Sequence, residues 1–503
     1  MNGSSKSTAI SGLVALCVIA PIGVLVNLGW GAQLDGASEI WPLVRNTLAL
    51  TGLTVIGSVC IGVPLAVATT HCNIRYRGLW LAALVAPLAV PSYIGAFTYF
   101  AAFGTGGELS QLVGAELPKV EGLWGTALVM TLYTYPLVLL TTRAALKQLD
   151  GRMVDAARCL GASMPETVWR VVVPRVRSGV AAGALLASLY TMSDFATPSI
   201  LGLDTFTRAI FVEYNAFGLD RAALLSLILL AIIVVVLLLE SRVTVEVEQN
   251  SQPFVIELSR HAKWVLFSVM LLALVGSLVL PAIVFGAWLM DEGAAGFSWG
   301  LIWNTTLPAV LAAFGAVLLA LPVAFAAARG GVARWFERGA TLGYGIPGIV
   351  MGTALLYVGL RVEWLYQTLV LLVFGHMLKF LPLSLGPLRN AVARSDQSVL
   401  NAARGLGAGQ FEVFRRVLLP MLVPAAVAGG ALVFLEVMRE LPLTLLLRPT
   451  GLETLTTELW QVYEAGYFGR AAIPSLLLIA ISAVGVVLML SGERRLDGAA
   501  GRV

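Results

Sequence analysis

Asp155-Ala156-Ala157-Arg158-Cys159-Leu160-Gly161 is followed thirteen residues later by Pro174, and the pattern returns 246 residues on. The second copy is Asn401-Ala402-Ala403-Arg404-Gly405-Leu406-Gly407, with Pro420 at the same distance. Each copy sits in a basic gap between strongly apolar segments. A polar segment repeated in an apolar chain points to a docking task performed twice. It also makes one half of the chain a template for the other.

The apolar background sets the class. The 503 residues are 58% hydrophobic and 12% charged. A soluble protein of this size carries about twice that charge fraction. Each helical span needs roughly 20 apolar residues. Twelve stretches qualify, near 9–29, 46–70, 79–103, 124–142, 179–199, 222–240, 264–289, 304–328, 339–360, 365–386, 425–447 and 471–491. The first is longer than a signal-peptide core and no small-x-small cleavage site closes it, so it is expected to be a retained helix.

Lys and Arg orient the spans. With the N-terminus inside, alternating segments hold 24 basic residues inside and 7 outside, with Lys379 and Arg439 within spans. The expected topology is therefore twelve helices with both termini in the cytoplasm. The net charge of +4 needs no nucleic-acid partner, because the basic residues lie where membrane topology puts them. Cys17, Cys60, Cys72 and Cys159 have no disulfide or metal spacing. His71, His261 and His376 are scattered and read as structural histidines.

The duplication extends along the chain. At the offset of 246, Pro136 matches Pro382, Arg143 matches Arg389, Met192 matches Met438 and Asp194 matches Glu440. Earlier the offset is 258 (Asn46-Thr47 against Asn304-Thr305), and later it is 249 (Thr205, Tyr214 and Arg221 against Thr454, Tyr463 and Arg470). The expected division is a first half over 1–245, a polar linker over 246–263 and a second half over 264–503. Six spans per half is an even number, so the halves enter the membrane in the same direction, as parallel repeats do.

The motif itself reads as a short helix–turn–helix. Met153 to Leu160 is helix-forming, and Gly161 suits the left-handed position just past a helix end. Ser163-Met164-Pro165-Glu166 resembles a helix start with a Ser cap and a Glu three residues in. Pro174 either limits that second helix or marks its turn into the next span. The second copy, near 399–424, has Gly407 as stop and Gln410 to Arg416 as helix, with Gly409 in place of the Ser cap. The exposed faces carry Asp155, Arg158, Glu166 and Arg170 in one copy, and Asn401, Arg404, Glu412, Arg415 and Arg416 in the other. Such helices can lie among lipid headgroups or dock in a partner's groove.

The spacing Asp/Asn-Ala-Ala-x3-Gly-x9-Val-x-Val/Leu-Pro, completed by Val171, Val173 and Pro174 and by Val417, Leu419 and Pro420, resembles the EAA loop of binding-protein-dependent ABC importer permeases. The resemblance covers both halves. It implies an all-α polytopic membrane protein of about 12 transmembrane helices in two parallel six-helix repeats, each with a cytoplasmic coupling helix. It implies that Asp155, Ala156, Ala157, Arg158, Gly161, Glu166 and Arg170, with Asn401, Ala402, Ala403, Arg404, Gly407, Glu412 and Arg416, contact two copies of a cytoplasmic ATPase. The family usually has Glu at the first position. Asp155 keeps that charge and Asn401 loses it. A bacterial inner-membrane location and a periplasmic or surface-tethered substrate-binding protein are implied as well.

A phosphate-cradling loop needs Gly-Lys-Ser/Thr. Lys6, Lys119, Lys147, Lys263 and Lys379 all lack a preceding Gly. The chain is thus expected to be no enzyme and to bind no cofactor, with ATP and Mg on the partner.

Ionisable residues inside spans are functional candidates. Tyr190 matches Glu436 and Asp194 matches Glu440, each pair at i, i+4 and so on one helical face. With Arg439, these five residues form the candidate translocation pathway. Asp194 and Glu440 are the candidate transient metal ligands, because hard cations prefer oxygen. The alternative is local: Arg439 pairs with Glu436, and Asp194 lies at the wet end of its helix. Asp194-Phe195-Ala196-Thr197-Pro198-Ser199-Ile200-Leu201-Gly202 with Thr205-Phe206-Thr207, and the run from Met438 to Pro449, resemble the iron(III) branch of the family. Thiamine permeases share the fused layout. Thiamine, polyamine or oxyanion cargo therefore stays open, as does an ion-driven secondary transporter.

Overall fold

The computed structural model describes residues 2–32, 37–104, 106–240, 259–293, 297–394, 402–403, 405–407 and 409–484. Among them the secondary structure is helical, with no strand. Nine helices are long and apolar enough to cross a membrane, and eleven spans result if each of two bent helix pairs counts as one. The stretch expected near 471–491 begins as the shorter apolar helix Phe468–Val484, and its remainder lies outside the described residues. Apolar side chains such as Leu13, Ile56, Phe314 and Val427 point outward along these helices. A helix exposed in that way requires an apolar solvent.

The spans expected near 79–103 and 339–360 are each a pair of helices meeting at a sharp bend. Arg77–Ala89 meets Ser92–Ala102 at 86°, and Ala333–Gly345 meets Gly348–Arg361 at 104°. The breaks fall at Val90-Pro91 and Ile346-Pro347. Proline has no N–H to continue the helix, and it forces the preceding residue to extended backbone. Val90 (ψ 117°) and Ile346 (ψ 121°) adopt that conformation.

The chain forms two compact units, neither continuous in sequence. Unit 1 comprises Met1–Leu34, Ile210–Leu227 and Phe297–Gln461; unit 2 comprises Asp35–Ala209, Ile228–Gly296 and Val462–Val503. The opening helix Asn2–Gly29 thus packs among second-half helices, against Gly300–Ala328 and Ala333–Gly345. The helix Arg260–Leu274 packs on Ala37–His71 and Arg77–Val85.

Both units are built on the same close helix contact. In unit 2, Gly183 lets Val173–Ser193 approach Gly122–Lys147 so closely that a Cβ there would lie 2.6 Å from the Val138 Cα. In unit 1, Gly429 lets Leu419–Met438 approach Leu369–Arg394, where a Cβ would lie 2.8 Å from the Ser384 Cα. Both positions of this contact recur at the 246 offset, Gly183 as Gly429 and Val138 as Ser384. Small residues replace the hydrophobic driving force that lipid removes, because helices without side-chain bulk gain dispersion contact along their backbones.

Candidate functional site

The first copy of the opening motif folds as the helix Gly151–Cys159. Asp150 caps it, accepting from the Arg152 N–H at 3.0 Å. Its far end closes as the sequence predicts. Gly161 takes φ +89°, the Ala162 N–H donates to the Ala157 carbonyl (3.1 Å), and the Gly161 N–H donates to the Arg158 carbonyl (3.0 Å). This pair of bonds is a Schellman stop. In the second copy Gly407 has φ +88°, and the Leu406 N–H reaches the Ala402 carbonyl at 3.0 Å. Asn401 and Arg404 lie outside the described residues.

The next segment departs from expectation. Ser163 contributes its carbonyl, not its hydroxyl, accepting from the Thr167 N–H and Oγ1, each at 2.9 Å. Pro174 does not end the helix. A π turn over Val168–Val172 precedes it, and the helix runs on as Val173–Ser193. The second copy does the same, with a π turn over Phe414–Leu418 before Leu419–Met438. A wider turn absorbs the donor that each proline lacks.

Burial then separates anchor from free surface. Val154 and Val172 sit in a core with Leu65, Leu139, Leu146 and Val176. Asp155, Ala156, Arg158 and Arg170 face outward. Arg170 pairs with Glu166 at 3.0 Å, and Arg416 pairs with Glu412 at 2.9 Å, the same i, i+4 pair in each copy. At the tips stand two leucines that the sequence reading passed over. Leu160 is 89% exposed and Leu406 is 90% exposed. Their signal was present in the repeat itself, as the one large apolar residue beside each stop glycine.

The second constellation lies at the helix breaks. Asp194 is not within a helix; it follows Ser193 with extended backbone (φ −75°, ψ 123°). Its carboxylate accepts from the Thr197 N–H (3.1 Å), the Thr197 hydroxyl (2.7 Å) and the Ser92 hydroxyl. It therefore caps the short helix Ala196–Ile200 and ties it to the residue after the Pro91 break. Tyr190 donates to Ser92 at 3.1 Å, so Tyr190 and Asp194 do meet, through that serine.

Glu440 holds the matching place in unit 1. It accepts from the Leu443 N–H (3.2 Å) and the Thr444 N–H (3.1 Å), capping Pro442–Leu447. Its break-side neighbour is Gly348, the counterpart of Ser92, where a Cβ would collide with the carboxylate. Behind each acid a threonine donates to its carbonyl: Thr207 to Asp194 at 2.8 Å and Thr456 to Glu440 at 3.3 Å. Thr47 accepts from the Phe206 N–H (3.2 Å), and Thr305 accepts from the Leu455 N–H (2.8 Å). Glu436 does not join Glu440. It pairs with Arg439, as the local reading anticipates. Among the described residues no group of three or more His, Cys, Asp or Glu gathers to hold a metal.

Unit 1 also contains a polar cavity of about 230 Å³, lined by Tyr214, Tyr366, Gln367, Arg448, Thr450 and Glu453 among others. Burial pushes the Glu453 carboxyl up, but the hydrogen bond and charge of Arg448, with Gln461 and Thr457, hold it below the usual range. Burial pushes the Tyr214 phenol up.

The sequence matches a known family and known transport proteins. The family described as "Binding-protein-dependent transport system inner membrane component" matches twice, over residues 58–244 and 316–498, and each match contains one copy of the motif. The chain is 28% identical over 481 residues to the Fe(3+)-transport system permease protein FbpB 2 of Haemophilus influenzae, covering 92% of each chain. It is 22% identical to the ferric transport system permease protein FbpB of Actinobacillus pleuropneumoniae, over 90% of this chain and 71% of that one. One stretch is 29% identical to a probable molybdenum ABC transporter permease of Haloferax volcanii, over 46% of this chain and 86% of that one. With both matches spanning most of its length and each enclosing a glycine-stopped loop, the chain belongs to the family of inner-membrane components of binding-protein-dependent transport systems.

Proposed function

We propose that this chain is the fused permease of an ATP-driven importer that moves ferric iron inward. The observation that carries the importer reading is the duplicated glycine-stopped loop, with Gly161 and Gly407 both at φ near +90° and an almost fully exposed leucine, Leu160 or Leu406, at each tip. Burying one leucine in a partner's groove is worth about 1.5–3 kcal/mol, and two equivalent tips suit two copies of one partner. The partner is a cytoplasmic ATPase holding ATP and Mg. Asp155 to Arg170 meet one copy and Asn401 to Arg416 the other. Both termini then lie in the cytoplasm, and the 1–245 and 264–503 halves are the two repeats, joined by 246–263.

Closure of the ATPase pair pulls on the loops, and the helices that continue from them carry the movement as rigid bodies. Trp169–Ser193 ends at Asp194, and Phe414–Met438 ends just before Glu440. The pathway residues Tyr190, Asp194, Glu436, Arg439 and Glu440 thus stand at the far ends of the levers. The duplicated segments Thr205–Arg221 and Thr454–Arg470 are the docking candidates for a periplasmic binding protein.

Iron is favoured over other cargo by two relatives named for ferric transport that cover most of the chain. A second reading has an organic cation or oxyanion as cargo, since relatives named for spermidine/putrescine and molybdenum also match in part. Reconstitution with the ATPase and binding protein in proteoliposomes tests both. ATP-dependent accumulation of ferric ion is expected. Uptake that follows an ion gradient and ignores loss of the ATPase would sink the importer reading, and ATP-driven uptake of another cargo alone would sink the iron reading.

A further inference from the structure

The repeat changes its offset at one place late in each half, and that change builds the cavity of unit 1. Leu201 matches Leu447 at 246, while Gly202-Leu203-Asp204-Thr205 matches Gly451-Leu452-Glu453-Thr454 at 249. Gly202 (φ +71°) and Gly451 (φ +85°) share the left-handed backbone, so the match holds beyond the change. The three residues between, Arg448-Pro449-Thr450, have no counterpart in the first half. All three line the cavity. In unit 2 the corresponding side chains close on one another. Tyr463, the counterpart of Tyr214, donates to the Ile200 carbonyl at 3.2 Å, and the Phe100 ring packs on it with centroids 5.7 Å apart. Unit 1 has Leu446 and the smaller Leu356 at the places of Ile200 and Phe100, and both line the cavity with Tyr214.

The cavity's acceptors are used and its donors are not. The Glu453 carboxylate is taken by the Arg448 Nη1, by the Thr457 hydroxyl at 3.0 Å and by Gln461. The Gln367 Oε1 is taken by the Thr450 hydroxyl at 2.9 Å. Arg448 uses Nη1 alone, toward Glu453 and toward the Leu452 carbonyl at 3.4 Å. Its Nε and Nη2 make no hydrogen bond among the described residues, and neither does the Tyr214 hydroxyl. The Gln367 Nε2 reaches the Tyr366 hydroxyl only at 3.5 Å, the outer limit of a hydrogen bond. The Arg448 side chain is 20% exposed, so its free edge is reachable yet largely withdrawn from bulk solvent. Gln367 holds φ +52°, a left-handed backbone that strains a residue with a Cβ. Strain of that kind persists where the surroundings impose it, ligand clamps among them.

We propose that this cavity is a carboxylate site built by the insertion Arg448-Pro449-Thr450. The Nε–Nη2 edge of a guanidinium meets the two oxygens of a carboxylate with parallel bonds. The Tyr214 hydroxyl and the Gln367 amide nitrogen add donors from two other segments. A cation would meet the guanidinium instead, and a ligand rich in donors would find the carboxylate and the amide oxygen already taken. At about 230 Å³ the cavity is smaller than the roughly 300–1,000 Å³ of sites for drug-sized ligands. Its occupant is therefore a short-chain acid or the tip of an acidic side chain, with Leu356 and Leu446 against the carbon part. The site stands on the cavity and its donors, whichever cargo the chain carries; only the side-chain source rests on the importer reading.

Two arms test it and separate the two sources. In the first, the purified full chain in detergent is titrated with succinate at fixed ionic strength, with succinamide as the neutral match. Saturable succinate binding without succinamide binding assigns a free acid. Arg448→Lys keeps the charge but loses the fork, and is expected to weaken that binding by about tenfold or more; Tyr214→Phe is expected to weaken it by up to about tenfold. Leu356→Phe fills the cavity as Phe100 does in unit 2 and is expected to abolish it, with an unchanged Tm showing that the variant folds. In the second arm, the affinity of the substrate-binding protein for wild type and for Arg448→Lys is compared. A loss there, with no succinate binding by the chain alone, assigns an acidic side chain. Equal binding of succinate and succinamide, or undiminished succinate binding in Arg448→Lys and in folded Leu356→Phe, would overturn the site. So would absent succinate binding together with equal affinity of the binding protein for both forms.

Discussion

Arg448 and Glu453 close an ion pair across the turn that follows Pro442–Leu447, at the rim of the polar cavity in unit 1. The Thr457 hydroxyl adds a bond to the Glu453 carboxylate at 3.0 Å. Glu453 is thus the acid that links the segment after the cradle to the start of Leu455–Ala465.

The pair predicts an acid limb in the stability profile. The folded-state pKa of Glu453 is depressed, so its contribution is fully present above the ordinary Glu value of about 4.3 and is lost as pH falls through the lower folded value. Glu453→Gln should flatten that limb and cost up to about 1 kcal/mol at neutral pH, the upper range for a partly exposed pair. Thermal unfolding of both forms between pH 3 and pH 7, a range set around the ordinary carboxylate value, reads it. Identical profiles below the ordinary value would refute the role.

Gly161 and Gly407 adopt φ near +90°, and a Cβ on either would meet nothing within 4 Å. Replacement by Val therefore acts through backbone strain alone, about 1–2 kcal/mol at each site. The strain is local to the loop. Membrane insertion and Tm should change little in the double Val variant, while co-purification of the ATPase falls. Unchanged ATPase association would remove the coupling role from the stop glycines.

Leu160 and Leu406 make no fold-stabilising burial to lose. Leu160→Ala and Leu406→Ala should leave Tm unchanged and raise the Kd for the ATPase by about tenfold or more each, from the apolar area withdrawn at the interface. Equal affinity of wild type and double variant would show that the tips dock nowhere.

Gly183 and Gly429 face backbone Cα atoms that cannot move aside independently. Ala at either position should cost about 1–3 kcal/mol by overpacking, and the two losses should be alike because the contacts are equivalent. A neutral substitution at one site alone would break the structural equivalence of the repeats.

Asp194→Asn keeps an acceptor for the Thr197 N–H, and Asn is as good a cap as Asp. The fold should stand while ATP-driven ferric uptake falls by about tenfold, a loss of 1.4 kcal/mol in barrier terms. Normal uptake would return Asp194 to capping alone.

Much of this was legible in the residues. The positive φ of Gly161 and Gly407 followed from their place after an Ala-rich helix, because only a residue without Cβ takes that conformation freely. The pairing of Arg439 with Glu436 followed from their spacing. The breaks at Pro91 and Pro347 were less legible. A proline inside an apolar run reads equally as a kink, and only the packing of each half-helix decides for an 86° or 104° bend. The same limit applied to Pro174 and Pro420, where a π turn kept the helix going.

Sequence by itself determined the apolar class, the repeat and its offsets, the loop stops and the list of intramembrane acids, because those depend on composition and local backbone preference. Tertiary structure decided what the acids touch. Asp194 and Glu440 lie at one register of the repeat, yet their neighbours Ser92 and Gly348 come from segments 102 and 92 positions away along the chain. Which of them arrives at each carboxylate depends on how the broken helices pack, and that placement gives Asp194 a serine hydroxyl and Glu440 a glycine.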